Sequence, residues 1–384
     1  MNTQKLFLFI AIFLTVFLLW DKWELTQSTD ANGNVISQTQ LIDNSSSSEK
    51  TDIPLASDVP VAEVSISDDS TPSVSESNIN SAYTTVVTDL LTVQISHKGG
   101  TIISAYLNEY PNSLNSEDKF QLLSNSPDNI FHAQSGLIPA EQMPTHQDEY
   151  FSERQDYFLQ GGNELVVPLK WTGSNGLSVT KNFRFKPNSY IVEVDYEISN
   201  NSSSDQVVSS YTQLAHGTPQ KSGSFMMGMQ NFNGGAVYND EEIFEKIDFE
   251  DFDSTPKMVS VGGWAAMIQH YFFTAWIPNE KEKHTFSTKS SRNNYLLTTV
   301  NPGVSIAAGT TTNIGKNQLY IGPKEHVRLE QLAPGLDKTV DYGFQFIVAK
   351  PLSVFLHWIY SFVQNWAISI ILVTLAIKLA FYKL

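Results

Sequence analysis

The sequence predicts a mainly β protein, with a large β-sandwich domain set between apolar helical segments at its two ends. Three observations carry that prediction. Short runs of alternating apolar and polar residues, separated by turn residues, recur from about residue 85 to residue 348. Long apolar stretches lie at 6–20 and 366–384. A polar segment at 25–84, almost free of aromatic side chains, joins the first stretch to the alternating region.

Composition narrows the function classes. The 384 residues are 41% hydrophobic and 12% aromatic, which is material for a real core rather than a disordered chain. Lys and Arg number 24 against 40 Asp and Glu, a net charge of −16, so broad binding to a phosphate backbone is excluded and no nucleic-acid partner is expected. The chain has no cysteine. Disulfides, thiolate nucleophiles, Cys-ligated zinc and a lipid-modified N-terminal cysteine are thereby ruled out.

Residues 1–24 read as an N-terminal transmembrane anchor. A helix over 3–23 would be about 31 Å long, which matches the hydrocarbon core and puts Trp20 and Trp23 at the outer interface. A cleaved signal peptide would need small residues after the apolar run, whereas Asp21, Lys22, Trp23 and Glu24 follow it. Residues 25–84, with four consecutive serines at 45–48, cannot bury enough apolar area to offset their ordering entropy and read as a flexible linker.

The alternation is clearest at 190–198, where Tyr190, Val192, Val194, Tyr196 and Ile198 share one face. Turn signals at 173–176 and 186–189 make 165–169, 177–185 and 190–198 a meander. Further strands are expected at 265–276, 295–299 and 318–321, and one helix at 324–332 entered through Pro323. Such a run of strands suggests a sandwich.

Residues 351–365 read as an amphipathic helix. Leu352, Phe355, Leu356, Ile359, Phe362 and Val363 fall on one face, and Ser353, His357, Tyr360, Ser361 and Gln364 on the other. A core helix of the soluble domain is the alternative, which the apolar segment that follows disfavours. Residues 366–384 would make about 28 Å of helix, enough for a second span, with Lys378 and Lys383 at its cytoplasmic end. Lys378 would lie about 18 Å below Trp366. Either it faces a polar cavity or its stem reaches back to the headgroups.

Catalytic motifs are scarce. None of the eight histidines has helical metal-site spacing, and no metal is expected. Between Gly309 and Gly315 lie five residues rather than four, and Asn317 follows Lys316, so this is not a phosphate loop but a loop beside a strand. No serine has the glycine flanks of a nucleophile elbow. Glycines 99, 100, 234, 235, 262 and 263 suit turns or bulges, and acidic pairs such as Glu241-Glu242 suit solvent.

Several stretches nevertheless form a pattern. They are Gly99-Gly100, Tyr110-Pro111 with Leu114-Asn115-Ser116, Phe120-Gln121-Leu122-Leu123 and Ala133-Gln134-Ser135-Gly136-Leu137. Gly234-Gly235-Ala236 with Tyr238, Gly262-Gly263-Trp264-Ala265-Ala266-Met267 and Thr274-Ala275-Trp276-Ile277-Pro278 continue it. Val340-Asp341-Tyr342-Gly343 and the run from Pro351 through Trp358, Ser361-Phe362-Val363 and Asn365-Trp366 into Ser369-Ile370-Ile371 complete it. In this order they resemble the YidC family of bacterial membrane protein insertases, in the Gram-negative form with a large periplasmic domain.

The resemblance implies that 85–348 is a periplasmic β-supersandwich similar to galactose mutarotase, and that 351–365 is an interfacial helix applying Phe355, Ile359 and Phe362 to the membrane. It also implies that 366–384 begins an α-helical insertase core whose hydrophilic intramembrane groove carries a positive charge, which falls at Lys378. The family position is usually arginine, and lysine lacks the planar five-donor fork. Tyr382-Lys383-Leu384 stands where the family usually has Tyr-Pro-Leu before its further core helices, so a C-terminally truncated chain is expected.

The implied protein is no enzyme and needs no cofactor. It would insert and fold integral proteins of the bacterial inner membrane, alone or with the Sec translocon. Its partners would be nascent membrane proteins, the translocon with its accessory subunits, the lipid bilayer, and the ribosome through parts absent from this chain. Its N-terminus would be cytoplasmic and the large domain periplasmic, in a multi-pass topology. A membrane-tethered carbohydrate-binding or sugar-epimerising β-sandwich is the rival reading.

Overall fold

The computed structural model describes residues 83–380, with breaks at 114–115, 140–141, 175, 218–231, 242, 270, 292–293 and 341–345. The expected anchor at 1–24, the linker as far as residue 82 and the end of the chain at 381–384 lie outside the described residues. Described residues up to Val340 form one compact unit, and those from Phe346 onward belong to another.

The first unit is a β-sandwich of an eleven-stranded and an eight-stranded sheet. The meander read from the turns is present in the smaller sheet as Leu165–Thr172, Leu177–Phe185 and Ile191–Asn200, paired antiparallel in that order. Alternation decides what is buried. Leu177, Val179, Phe183 and Phe185 are buried along one strand, and Val192, Val194, Tyr196 and Ile198 along the next. Asn188, at φ 54, supplies the left-handed residue of the turn between them. The first strand of the larger sheet, Tyr83–Val87, takes in two residues that composition places in the linker.

Several expectations change. The single strand expected at 265–276 is two, Trp264–Ile268 and Phe272–Ile277, with Ala265 opposite Trp276. Both strands are almost wholly buried, so no alternation betrays the reversal, and the sequence between them at 269–271 has neither glycine nor proline. The short strand expected at 318–321 belongs to a fourteen-residue strand, Thr310–Pro323. Only Gly309 lies outside it as a turn residue; Gly315, at φ 67, sits at a β-bulge within it, so the expected loop at 309–316 is mostly strand. Pro323 ends that strand instead of opening the helix, and helix α1 spans His326–Leu332.

Glycines at 99, 100, 262 and 263 adopt positive φ in turns, as their pairing suggested. Gly234 and Gly235 do not. They lie inside the strand Gly234–Tyr238, where a Cβ on Gly235 would come within 3.0 Å of the Phe252 ring. Close ring packing explains the second glycine.

The two sheets are tied by polar contacts as well as by core packing. Trp276 donates its indole N–H to the Gln213 carbonyl across the sandwich, at 3.3 Å. Lys181, fully buried, donates to the carbonyls of Gly99, Gly100 and Ser135 at 2.8, 2.9 and 3.0 Å. Each ammonium hydrogen thus has an acceptor, the condition for burying such a group. The rings of Tyr150, Phe183 and Tyr196 surround it.

In the second unit, helix α2 spans Phe346–Val363 and helix α3 spans Trp366–Ala380. The amphipathic pattern starts α2 at Pro351, which lies instead inside the helix, more than a turn from its start. Proline lacks an N–H and therefore suits a first turn, which is why the sequence suggests a boundary there.

Candidate functional site

The candidate site is the α2–α3 pair with Lys378. Apolar side chains cover almost all of α3, whose only polar residues are Ser369, Thr374 and Lys378. A fifteen-residue helix is about 22 Å long. Among the described residues no helix is long and apolar enough to cross a membrane.

The corner between the helices is built by side chains. Gln364, at φ 53, ends α2 in the left-handed region; its N–H donates to the Tyr360 carbonyl at 2.8 Å and its side-chain amide to Ser361 at 3.0 Å. Asn365 then caps α3, its Oδ1 accepting from the Ile368 N–H at 3.2 Å. Ser369 donates its hydroxyl to the Asn365 carbonyl at 2.8 Å. The Trp366 ring stacks on Tyr360 with centroids 4.0 Å apart and meets His357 edge-on at 5.3 Å.

Among the described side chains of the pair, Ile359, Ser369 and Val373 are buried. Ser369 and Val373, four residues apart, mark one stripe of α3. Lys378 lies about 140° to 180° round the helix from them, at 100° per residue, and is exposed. Ile371 and Thr374 fall beside it on that outward strip, and Thr374 satisfies its hydroxyl on the Ile370 carbonyl at 2.8 Å.

The three residues assigned to the interfacial helix do not share one environment. Phe355 and Phe362 are exposed, the latter at 71%, and flank Trp358 in an aromatic ladder with centroids 5.9 and 5.1 Å from its ring. Ile359 is buried. His357 and Tyr360, placed on the polar face by spacing, instead hold Trp366. Sequence reasoning missed Trp366 as a corner residue, although an Asn-Trp pair between two helical patterns was its visible signal.

The described residues of the sandwich show no assembled chemistry of comparable kind. Among the described residues no three His, Asp or Glu side chains are grouped to hold a metal. A cavity of about 160 Å³ opens near Ser210, Asn301 and Lys316. Its buried amides are already engaged, Asn301 donating to Ser210 and Asn317 and meeting His284 at 2.9 Å.

Comparison with known proteins completes the assignment. Residues 83–355 match the family model of the YidC periplasmic domain. The whole chain is 51% identical over 395 residues to the "Membrane protein insertase YidC" of Vesicomyosocius okutanii, covering 70% of that protein. It is 50% identical over 388 residues to the protein of the same name from Ruthia magnifica, again covering 70% of it. A Pseudoalteromonas atlantica protein of that name is 35% identical, with the whole chain covering 68% of it. Among solved structures, a galactose mutarotase related enzyme from Lactobacillus acidophilus aligns with 62% of this chain and 97% of its own, with a TM-score of 0.41 and 9% identity. With its relatives matched along its whole length and its sandwich matched to the family's periplasmic domain, the chain belongs to the YidC family of membrane protein insertases.

Proposed function

We propose that this chain acts in the bacterial inner membrane by lowering the desolvation cost of polar flanks on incoming membrane proteins, with Lys378 as the charge that receives them. The observation that carries the reading is one cation on the largely apolar α3, on the exposed strip that also bears Ile371 and Thr374. A charge there is costly in hydrocarbon unless water or a partner receives it, which favours a hydrophilic groove beside that strip. One helix cannot enclose a groove, so α3 supplies a single wall and other helices the rest. The incoming apolar segment then partitions sideways into lipid. No bond is made, and the reading requires no cofactor.

In this reading residues 1–24 anchor the chain, 25–82 tether the periplasmic domain, α2 lies in the outer interface with Phe355, Trp358 and Phe362 in lipid, and α3 belongs to the second span. Action with the Sec translocon, and ribosome contact through other segments, belong to the same proposal. In a reconstituted insertion assay of the full-length protein, Lys378→Arg should retain insertion. Lys378→Glu should impair it for substrates with acidic translocated tails. Equal insertion by wild type and both variants would overturn the charge role.

A further inference from the structure

We infer that Trp366 is a positioning residue: it locks α2 and α3 into one rigid elbow and thereby fixes the depth and facing of Lys378. This rests on the reading of α2 as interfacial and of Lys378 as the groove charge. The corner is over-determined for so short a connection. Two residues, Gln364 and Asn365, separate the helices, and both are committed, one to the α2 end in a left-handed conformation and the other to the α3 cap. Trp366 then clamps the two axes from the side, its ring parallel to Tyr360 within 14° and perpendicular to His357 within a few degrees, at 83°. Stacked and edge-to-face aromatic pairs at such separations are attractive beyond their buried area.

A non-glycine residue held at positive φ costs free energy, and it persists where surrounding contacts enforce it. Gln364 is such a residue, at φ 53. Its side chain and backbone both return to α2, so the reversal does not depend on solvent. Ser369 reinforces the first turn of α3 by bonding back to the Asn365 carbonyl through both its N–H and its hydroxyl, at 3.0 and 2.8 Å.

The consequence for Lys378 is geometric. It lies twelve residues beyond Trp366, about 18 Å along the helix axis. A swing of about 30° at the corner would carry it sideways by about 9 Å, further than a lysine stem could correct. A rotation of α3 by one residue would turn it through about 100°, off the strip it shares with Ile371 and Thr374. Only an elbow that resists both motions keeps one ammonium facing one groove, with the aromatic ladder of α2 as the fixed reference at the interface.

These 384 residues contain no cysteine, so within them introduced cysteines are the only labelling sites. Spin labels at Val354→Cys and Leu379→Cys, on exposed positions of the two helices, report the interhelix distance in the full-length protein in lipid nanodiscs. The elbow predicts one narrow distance distribution in the otherwise wild-type protein, broadened by Trp366→Ala and restored by Trp366→Tyr. A broad distribution without any change at Trp366, or an unbroadened one in Trp366→Ala, would overturn it.

Insertion is read in parallel. Trp366→Ala should lower insertion of acid-tailed substrates by about five-fold, the equivalent of roughly 1 kcal/mol, and leave substrates without acidic flanks little changed. A uniform loss for both substrate types would instead mean general destabilisation and would overturn the positioning role. If the distances behave as predicted while Lys378→Glu inserts normally, the elbow stands and the groove-charge reading fails.

Discussion

At the scale of single residues, the buried Lys181 and the half-buried His132 show how the sandwich handles polarity. Burial holds the Lys181 ammonium well below its ordinary range, and three carbonyls rather than a carboxylate receive its hydrogens. It occupies a buried position in a strand whose other inward residues are Leu177, Val179, Phe183 and Phe185. A lysine in the apolar phase of a period-two strand was a legible anomaly; its acceptors, 46 to 82 residues away, were not. Burial likewise holds the His132 imidazole down to about 4 from 6.5. The folded protein therefore keeps it neutral while the unfolded chain takes up a proton, so stability present above pH 6.5 is lost as the pH falls towards 4. That loss is at most about 3 kcal/mol. His132→Gln should flatten the fall in melting temperature between pH 7 and pH 4.5, and an unchanged slope would contradict this.

At the scale of elements, the hairpins follow turn chemistry where turns are visible and fail where they are not. Alternation located the 165–200 meander because each of its strands has a clear inward face. It missed the reversal between Trp264–Ile268 and Phe272–Ile277 because both strands are apolar on either side. Just before that hairpin, Gly263 has φ 88, and a Cβ there would overlap the Tyr238 carbonyl. Gly161 has φ 66 with open space around it. Gly161→Ala should therefore cost only the backbone strain, about 1 kcal/mol, and Gly263→Ala substantially more because the backbone must also move. Thermal unfolding of the two variants checks the order; equal losses would mean that the Tyr238 contact gives way freely.

Helix α2 shows the limits of spacing. A 3.6-residue period separates faces but does not say which face meets a neighbour. Phe355 and Phe362 are exposed, Ile359 is buried, and the nominally polar His357 and Tyr360 take up the corner tryptophan. Pro351 signals a boundary locally, yet α2 runs through it.

On the scale of the whole molecule, two kinds of information separate cleanly. The β-rich class and the helical character of the C-terminal segment were legible in residue patterns because they depend on local period. Family membership was legible in an ordered series of short stretches, and whole-chain identity to insertases establishes it. What patterns could not supply is assembly: the eleven-plus-eight division of strands, the lysine cage across the sheets, and the clamped corner all join residues by tertiary contact.

In the proposed function, substrates meet α3 on the strip of Ile371, Thr374 and Lys378. Site-specific photo-crosslinking during membrane protein synthesis, in membranes carrying the full-length protein, tests it most directly. A crosslinker at position 371 or 374 should capture the nascent protein, while one at Leu372, roughly a third of a turn away, should capture lipid instead. Adducts of equal yield from all three positions, or none from 371 and 374, would contradict the claim.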